Sequence, residues 1–247
     1  MCESAMTLFA DPADCGSAIV DAARGLRSGR AHDLCWVSIR FVDDDLYRSS
    51  PFCAGIPIPQ ALARAGSRRL TEFVAGRACA REAVRRLTAK AMAPGMGSDR
   101  APVWPEGIVG SISHCGDRAI AVVGAADRYL GLGIDLERHL SASEVDEIAP
   151  LVLTDAERQR LGTRLDKKVV SLVFSAKESL FKALSRLTGP IPFFAAFELV
   201  TLDKGTARFR LRQAQSPRWH SNRVFPVRLD EFDGLFATFA AINPDFT

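Results

Sequence analysis

Between residues 68 and 90, RRLTEFVAGRACAREAVRRLTAK, the apolar positions Leu70, Phe73, Val74, Ala80, Val84 and Leu87 recur at helical spacing and predict an amphipathic helix. A second such pattern runs through DKKVVSLVFSAKESLFKALSRL at 166–187, with Asp166 placed to cap it. A shorter one covers TDAERQRLG at 154–162, behind Thr154. Strand signals alternate instead, in LCWVSIRFV at 34–42, IVGSISH at 108–114, AIAVVGA at 119–125 and LGLGIDLE at 130–137. Short C-G-D-R and A-D-R-Y connections join the last three, which predicts an antiparallel meander. APGMGSDRAP at 93–102 breaks the pattern with Pro and Gly and reads as a loop. Polar SASEVDEIAP opens the second half, and FFAAFELVTLD, TARFRLR and GLFATFAAI close the chain with strand-like composition.

Each half therefore gives helix, then strands, an α+β arrangement divided at about residues 1–130 and 131–247. Sliding 70–87 over 170–187 matches Ala83 with Ala183, Arg86 with Arg186 and Leu87 with Leu187, and sets Arg77 against Lys177. Amphipathic helices resemble one another by default, so a duplicated half facing its twin across a cleft stands beside coincidence as a reading.

If 130–137 is a strand, Leu130, Leu132, Ile134 and Leu136 share one face, and Gly131, Gly133, Asp135 and Glu137 share the other. An exposed face loses strand stability from glycine, whereas a ligand or backbone approaching closely needs the space. Two carboxylates that close repel unless a cation lies between them. A solvated edge strand remains the plain alternative; a metal or phosphate site is the sharper one.

Composition narrows the class. The chain has 247 residues, 47% hydrophobic and 25% charged, the balance of a soluble globular protein of one or two domains. Its formal net charge of +3 is too small to argue for nucleic acid. Nine Lys or Arg nevertheless lie between Arg64 and Arg100 against Glu72, Glu82 and Asp99, a local basic patch suited to an anionic ligand. Cys2, Cys15, Cys35, Cys53, Cys79 and Cys115, and His32, His114, His139 and His220, are dispersed without zinc-site spacing, so the cysteines read as reduced buried thiols. The start shows no secretion signal and no apolar run reaches about 18 residues, so a cytoplasmic protein without a membrane span is expected.

Three segments carry polar groups that local structure does not require. SISHCGD ends a strand in Ser113 and His114, GIDLE supplies Asp135 and Glu137, and FSAKESLFKA places Lys177, Glu178 and Lys182 on a helix. Glu178 and Lys182 stand at i and i+4, where an ordinary exposed ion pair is the plain reading. In order and spacing, SISHCG resembles the Ser-x-Ser-His motif of the 4'-phosphopantetheinyl transferases, GIDLE their Gly-(Ile/Val)-Asp-x-Glu motif, and FSAKESLFKA their (Trp/Phe)-x-x-Lys-Glu-(Ser/Ala)-x-x-Lys-Ala motif. RRLTEFVAGRACA and RAPVWPEG resemble two further blocks of the siderophore-type branch. The resemblance covers about residues 68 to 187, and Phe174 stands where many members have Trp.

The resemblance implies two α+β halves related by pseudo-twofold symmetry, a cleft for coenzyme A, and transfer of phosphopantetheine to a serine of an apo carrier protein of a peptide or polyketide synthetase. A monomer is expected, because two internally paired halves need no dimer to complete the cleft, and no nucleic-acid partner is expected. By the same resemblance Asp135, Glu137 and Glu178 hold magnesium, Glu178 also takes the serine proton, and Lys182 assists the leaving phosphate. His114 contacts a coenzyme A phosphate with Ser113 beside it, Lys177 lines the same cleft, and Arg69, Arg77 and Arg100 are the candidates for the nucleotide phosphates. Two rival readings are a metal-dependent nuclease using the basic helix, and a non-catalytic module recognising acidic helices through Arg81, Arg85 and Arg86.

Overall fold

The structure, a computed structural model, describes residues 27–31, 33–43, 48, 50–188, 194–232 and 234–245. Cys2, Cys15 and His32, and the start of the chain on which the secretion reading rests, lie outside them. The chain divides into two compact units after Tyr129.

In the unit ending at Tyr129, β1 (Arg27–Ala31), β2 (Leu34–Arg40), β5 (Ile108–Cys115) and β6 (Arg118–Ala125) form an antiparallel sheet in the order β1-β2-β6-β5. One face of it, including Val37, Ile39, Ala119, Ala121 and Val123, packs on α1 (Ser67–Thr88). Small residues on that helix, Ala75, Cys79, Ala80 and Ala83, allow the close approach. At Gly76 even a Cβ would come within 2.7 Å of Ile112 Cγ2. The helix stops where Ala89 turns left-handed, its N–H bonding to the Arg85 carbonyl. The stretch 93–102, expected to be a loop, carries a short ladder in which β3 (Gly95–Met96) pairs with β4 (Pro102–Val103). Arg100 sits in the intervening turn at φ 66°.

The unit from Leu130 onward contains β7 (Gly131–Glu137), α2 (Ala142–Val152), α3 (Asp155–Leu161), α4 (Lys167–Thr188), β8 (Phe197–Asp203), β9 (Thr206–Leu211), β10 (Val224–Phe232) and β11 (Leu235–Ile242). Its antiparallel sheet has the order β7-β11-β10-β9-β8. Here the expected meander is corrected: β7 pairs with β11, not β6, because both edges of β6 are already taken by β2 and β5. SASEVDEIAP, read only as polar, forms most of α2 and begins with a capping box in which Ser141 accepts from the Glu144 N–H. Thr154 caps α3 by the same device, and Asp166 Oδ1 accepts from the Val169 N–H at 2.8 Å at the start of α4.

The two faces of β7 are both buried. Leu132, Ile134 and Leu136 are at most 2% exposed, as the alternation predicts. The glycine face is covered by α4: a Cβ on Gly131 would collide with the Ala183 carbonyl, and one on Gly133 with that of Ser179. The glycines therefore admit a helix backbone, the second of the two uses expected for them, and the Asp135 face is not an open one. Among the described residues no helix is long and apolar enough to cross a membrane. Cys35, Cys53 and Cys79 are buried, as the sequence leads one to expect, whereas Cys115 is only half-buried.

Candidate active site

The β7–β11 ladder sets Asp135 opposite Thr238, and α4 crosses directly above. Asp135 is 6% exposed and its carboxylate is held at both oxygens. Lys182 Nζ donates to Oδ1 at 2.7 Å and to the Ile134 carbonyl at 3.1 Å, while Ser175 Oγ donates to Oδ2 at 2.8 Å. Ser175, Glu178 and Lys182 are spaced at i, i+3 and i+7, which is one stripe of a helix, so α4 presents all three to the same side. The plain surface pair between Glu178 and Lys182 is thus displaced: Lys182 reaches across to the strand.

Three carboxyls share this region with one ammonium. Burial pushes Glu178 up to about 7, with the charges of Asp135 and Glu137 adding and that of Lys182 opposing. Burial also raises Glu137, against the hydrogen bond that its Oε1 accepts from the Arg138 N–H at 2.8 Å, and Asp135 adds to the rise. Burial is the leading cause at both carboxyls, and the negative charge of their neighbours adds to it. Among the described residues, however, no three His, Cys, Asp or Glu side chains are drawn together into a ready-made metal cage.

The structure corrects the place of Lys177. Adjacent helix positions point about 100° apart, so Lys177 turns away from Glu178 and into the core. It is 1% exposed, bonded to Glu157 Oε1 at 2.7 Å and to the Val152 carbonyl at 2.7 Å, and lines no cleft.

In the other unit, Arg69 Nη1 lies 2.9 Å from His114 Nε2, and Glu72 stands 3.5 Å from Arg69 and 3.7 Å from His114 Nδ1. A guanidinium can only donate, so Nε2 accepts and the ring proton belongs on Nδ1, toward Glu72. Ser113, the preceding residue of β5, is buried. Arg77 is 6% exposed, with Nη2 bonded to the Gly95 carbonyl at 3.2 Å and its guanidinium carbon 4.7 Å from the Phe73 ring centroid. Its Nε has no hydrogen-bond partner, and among the described residues no carboxylate is paired with it. Burial, with the Arg69 charge adding, pulls its pKa down to about 10. Arg100 is exposed at the tip of the β3–β4 hairpin whose base holds Arg77. The arginines proposed for an acidic-helix module are otherwise engaged: Arg81 ties down the Phe52 and Ala54 carbonyls, and Arg85 and Arg86 both pair with Glu82.

Sequence reasoning missed Glu72, Glu157, Ser175 and Thr238. Glu72 was discoverable, lying three and four residues after Arg69 and Arg68 on a helix. Thr238 lies on a strand far from every motif and carried no local signal.

Residues 58–124 match the 4'-phosphopantetheinyl transferase N-terminal domain, and residues 131–233 match the 4'-phosphopantetheinyl transferase superfamily. Enterobactin synthase component D of Salmonella typhimurium is 37% identical over 166 residues, covering 66% of this chain and 61% of that protein. The Escherichia coli K12 protein of the same name is 41% identical over 130 residues, covering 52% and 61%. The chain thus spans about three fifths of the length of these relatives. The 4'-phosphopantetheinyl transferase Svp of Streptomyces mobaraensis is 42% identical over 185 residues, covering 71% of this chain and 70% of its own. Two domain matches, one on each structural unit, stand beside a relative aligned over more than two thirds of both chains: the chain belongs to the 4'-phosphopantetheinyl transferase superfamily.

Proposed function

We propose that this chain transfers 4'-phosphopantetheine from coenzyme A to a serine hydroxyl of an apo carrier protein, with magnesium, releasing adenosine 3',5'-bisphosphate. The observation that carries the reading is the cluster itself: Lys182 holds Asp135 at 2.7 Å, and Glu178 stands on the same stripe of α4, where burial, with the charges of Asp135 and Glu137 adding, pushes it up to about 7. Svp and the Nocardia iowensis relative Npt are themselves named 4'-phosphopantetheinyl transferases, which supports the reaction class.

Magnesium fits the donor set. Asp135, Glu137 and Glu178 are hard oxygen donors whose mutual repulsion a divalent cation would relieve, and they are the residues that would hold it. When bound, the cation neutralises diphosphate charge that would otherwise be repelled by the acids. Glu178, ionised, takes the serine proton directly or through a water, and Lys182 stabilises or protonates the leaving phosphate. Arg77, a buried cation with no acid paired to it among the described residues, suits a phosphate of the nucleotide, with Arg69, His114 and Arg100 as further contacts and Ser113 beside His114. Carrier domains of peptide or polyketide synthetases are the proposed partners, and the relatives named enterobactin synthase component D favour siderophore assembly. The protein is proposed to act as a cytoplasmic monomer.

The test is incubation with coenzyme A, magnesium and an apo carrier protein. A phosphopantetheine mass gain on the carrier is expected; DNA cleavage in place of labelling would support the nuclease reading instead. Arg77→Ala is expected to weaken coenzyme A binding about ten- to hundredfold, the worth of a charge-assisted hydrogen bond of roughly 1.5 to 3 kcal/mol. By calorimetry, 3'-dephospho-coenzyme A should lose less. Equal losses for both ligands would move Arg77 off the 3'-phosphate.

A further inference from the structure

Behind Asp135 lies a short chain of hydroxyls that no part of the proposed reaction uses. Ser175 and Thr238 are both 0% exposed. Ser175 Oγ lies 2.8 Å from Asp135 Oδ2 and 2.9 Å from Thr238 Oγ1, and Thr238 Oγ1 lies 2.9 Å from the Ser175 carbonyl. Each hydroxyl has a single proton to give. An ionised Asp135 can only accept, so the Ser175 proton belongs to Oδ2. The contact between the two hydroxyls must then be donated by Thr238, which shares its proton between Ser175 Oγ and the Ser175 carbonyl. Such a chain polarises in one direction and strengthens the last bond, the one on the carboxylate.

From this we infer that Thr238, acting through Ser175, is a positioning residue for Asp135. The two hydroxyls fix the carboxylate plane from behind and leave Oδ1 to Lys182. The hydroxyls lie on separate elements, β11 and α4, so their bond also sets the depth at which α4 stands above Asp135. The inference rests on the proposed role of Asp135 as a magnesium ligand. Groups that orient a ligating carboxylate typically carry about ten- to hundredfold of the metal affinity.

The experiment is a Mn²⁺ titration followed by electron paramagnetic resonance, with coenzyme A present, on the full chain and on Thr238→Val, Thr238→Ser, Ser175→Ala and Asp135→Asn. Thermal melting confirms that each variant is folded. The expected pattern is tight binding by the parent and loss in Asp135→Asn. Thr238→Val and Ser175→Ala should weaken by about ten- to hundredfold, and Thr238→Ser should return close to the parent. Carrier labelling by Thr238→Val should show a raised Mg²⁺ requirement with most of the rate recovered at saturating Mg²⁺, a split that mere loosening of the fold would not give. Parental Mn²⁺ affinity in Thr238→Val, with Asp135→Asn defective, overturns the positioning role and leaves the metal reading standing. Parental affinity in Asp135→Asn overturns both. Should Thr238→Val fail to fold, Thr238→Ser and Ser175→Ala decide: equal weakening of the two would overturn the inference, since the first keeps the hydroxyl.

Discussion

Lys177→Met is expected to destabilise the protein by about 3 to 5 kcal/mol, because it leaves the Glu157 carboxylate buried without its cation. Glu157 is 0% exposed and, besides Lys177, accepts from the Thr154 N–H at 2.7 Å and the Leu199 N–H at 2.6 Å. One carboxylate thus joins the start of α3, the first strand after α4, and α4 itself. Burial lowers the Lys177 pKa and the Glu157 charge opposes it, so each ion is tolerated only because of the other. Methionine fills the same volume without charge and isolates the electrostatic loss from a cavity. Adding Glu157→Gln should recover part of the loss, since a glutamine oxygen can still accept from a backbone N–H while the unpaired charge is gone. Urea unfolding of the parent, the single variant and the double variant measures this. A Lys177→Met midpoint equal to the parent's would mean that the pair does not exist as ions. Lys177 therefore bears on the site indirectly, by fixing how α4 is rolled and hence where Glu178 points.

The parts of the fold written in local chemistry were readable. Helices α1 and α4 begin and end within two residues of their predicted bounds, because apolar spacing and the Asp166 cap are local signals. The phase of β7 was readable for the same reason: Leu132, Ile134 and Leu136 do share a buried face. What occupies the other face was not, because the carbonyls of Ser179 and Ala183 arrive from a helix some fifty residues away. Pairing was hidden too. The partner of Asp135 across the ladder is Thr238, and no local pattern announces a contact between strands about a hundred residues apart. VFPVRLDEF was passed over as a strand, although Pro226 is exposed on β10 in the run that pairs with β9. At the site, motif spacing put Asp135, Glu178 and Lys182 in one electrostatic neighbourhood. It misplaced Lys177, since neighbours in a helical motif face different ways and the spacing alone does not say which one faces the core.

Glu178→Gln is expected to lower the rate of carrier labelling by about 10² to 10⁴, the usual contribution of a positioned proton-transfer group, while coenzyme A affinity falls much less. Glutamine keeps the shape and one oxygen but removes the charge and the basicity. The raised carboxyl adds a pH dependence of its own. An unfolded chain releases this proton near 4.5, whereas the metal-free fold holds it until about 7. Raising the pH across that interval should therefore cost the metal-free parent stability, and magnesium should restore it by neutralising the ionised acid. The same proton should be expelled when magnesium binds at pH 6 and should already be absent at pH 8. Calorimetry in buffers of different ionisation enthalpy reads that difference, and Glu178→Gln should abolish it. Single-turnover labelling beside coenzyme A calorimetry separates chemistry from binding. If Glu178→Gln labels the carrier at the parental rate, Glu178 is not the base. If proton release is equal at pH 6 and pH 8 in the parent, Glu178 does not meet the cation, and the excess of carboxylate around Lys182 has another purpose.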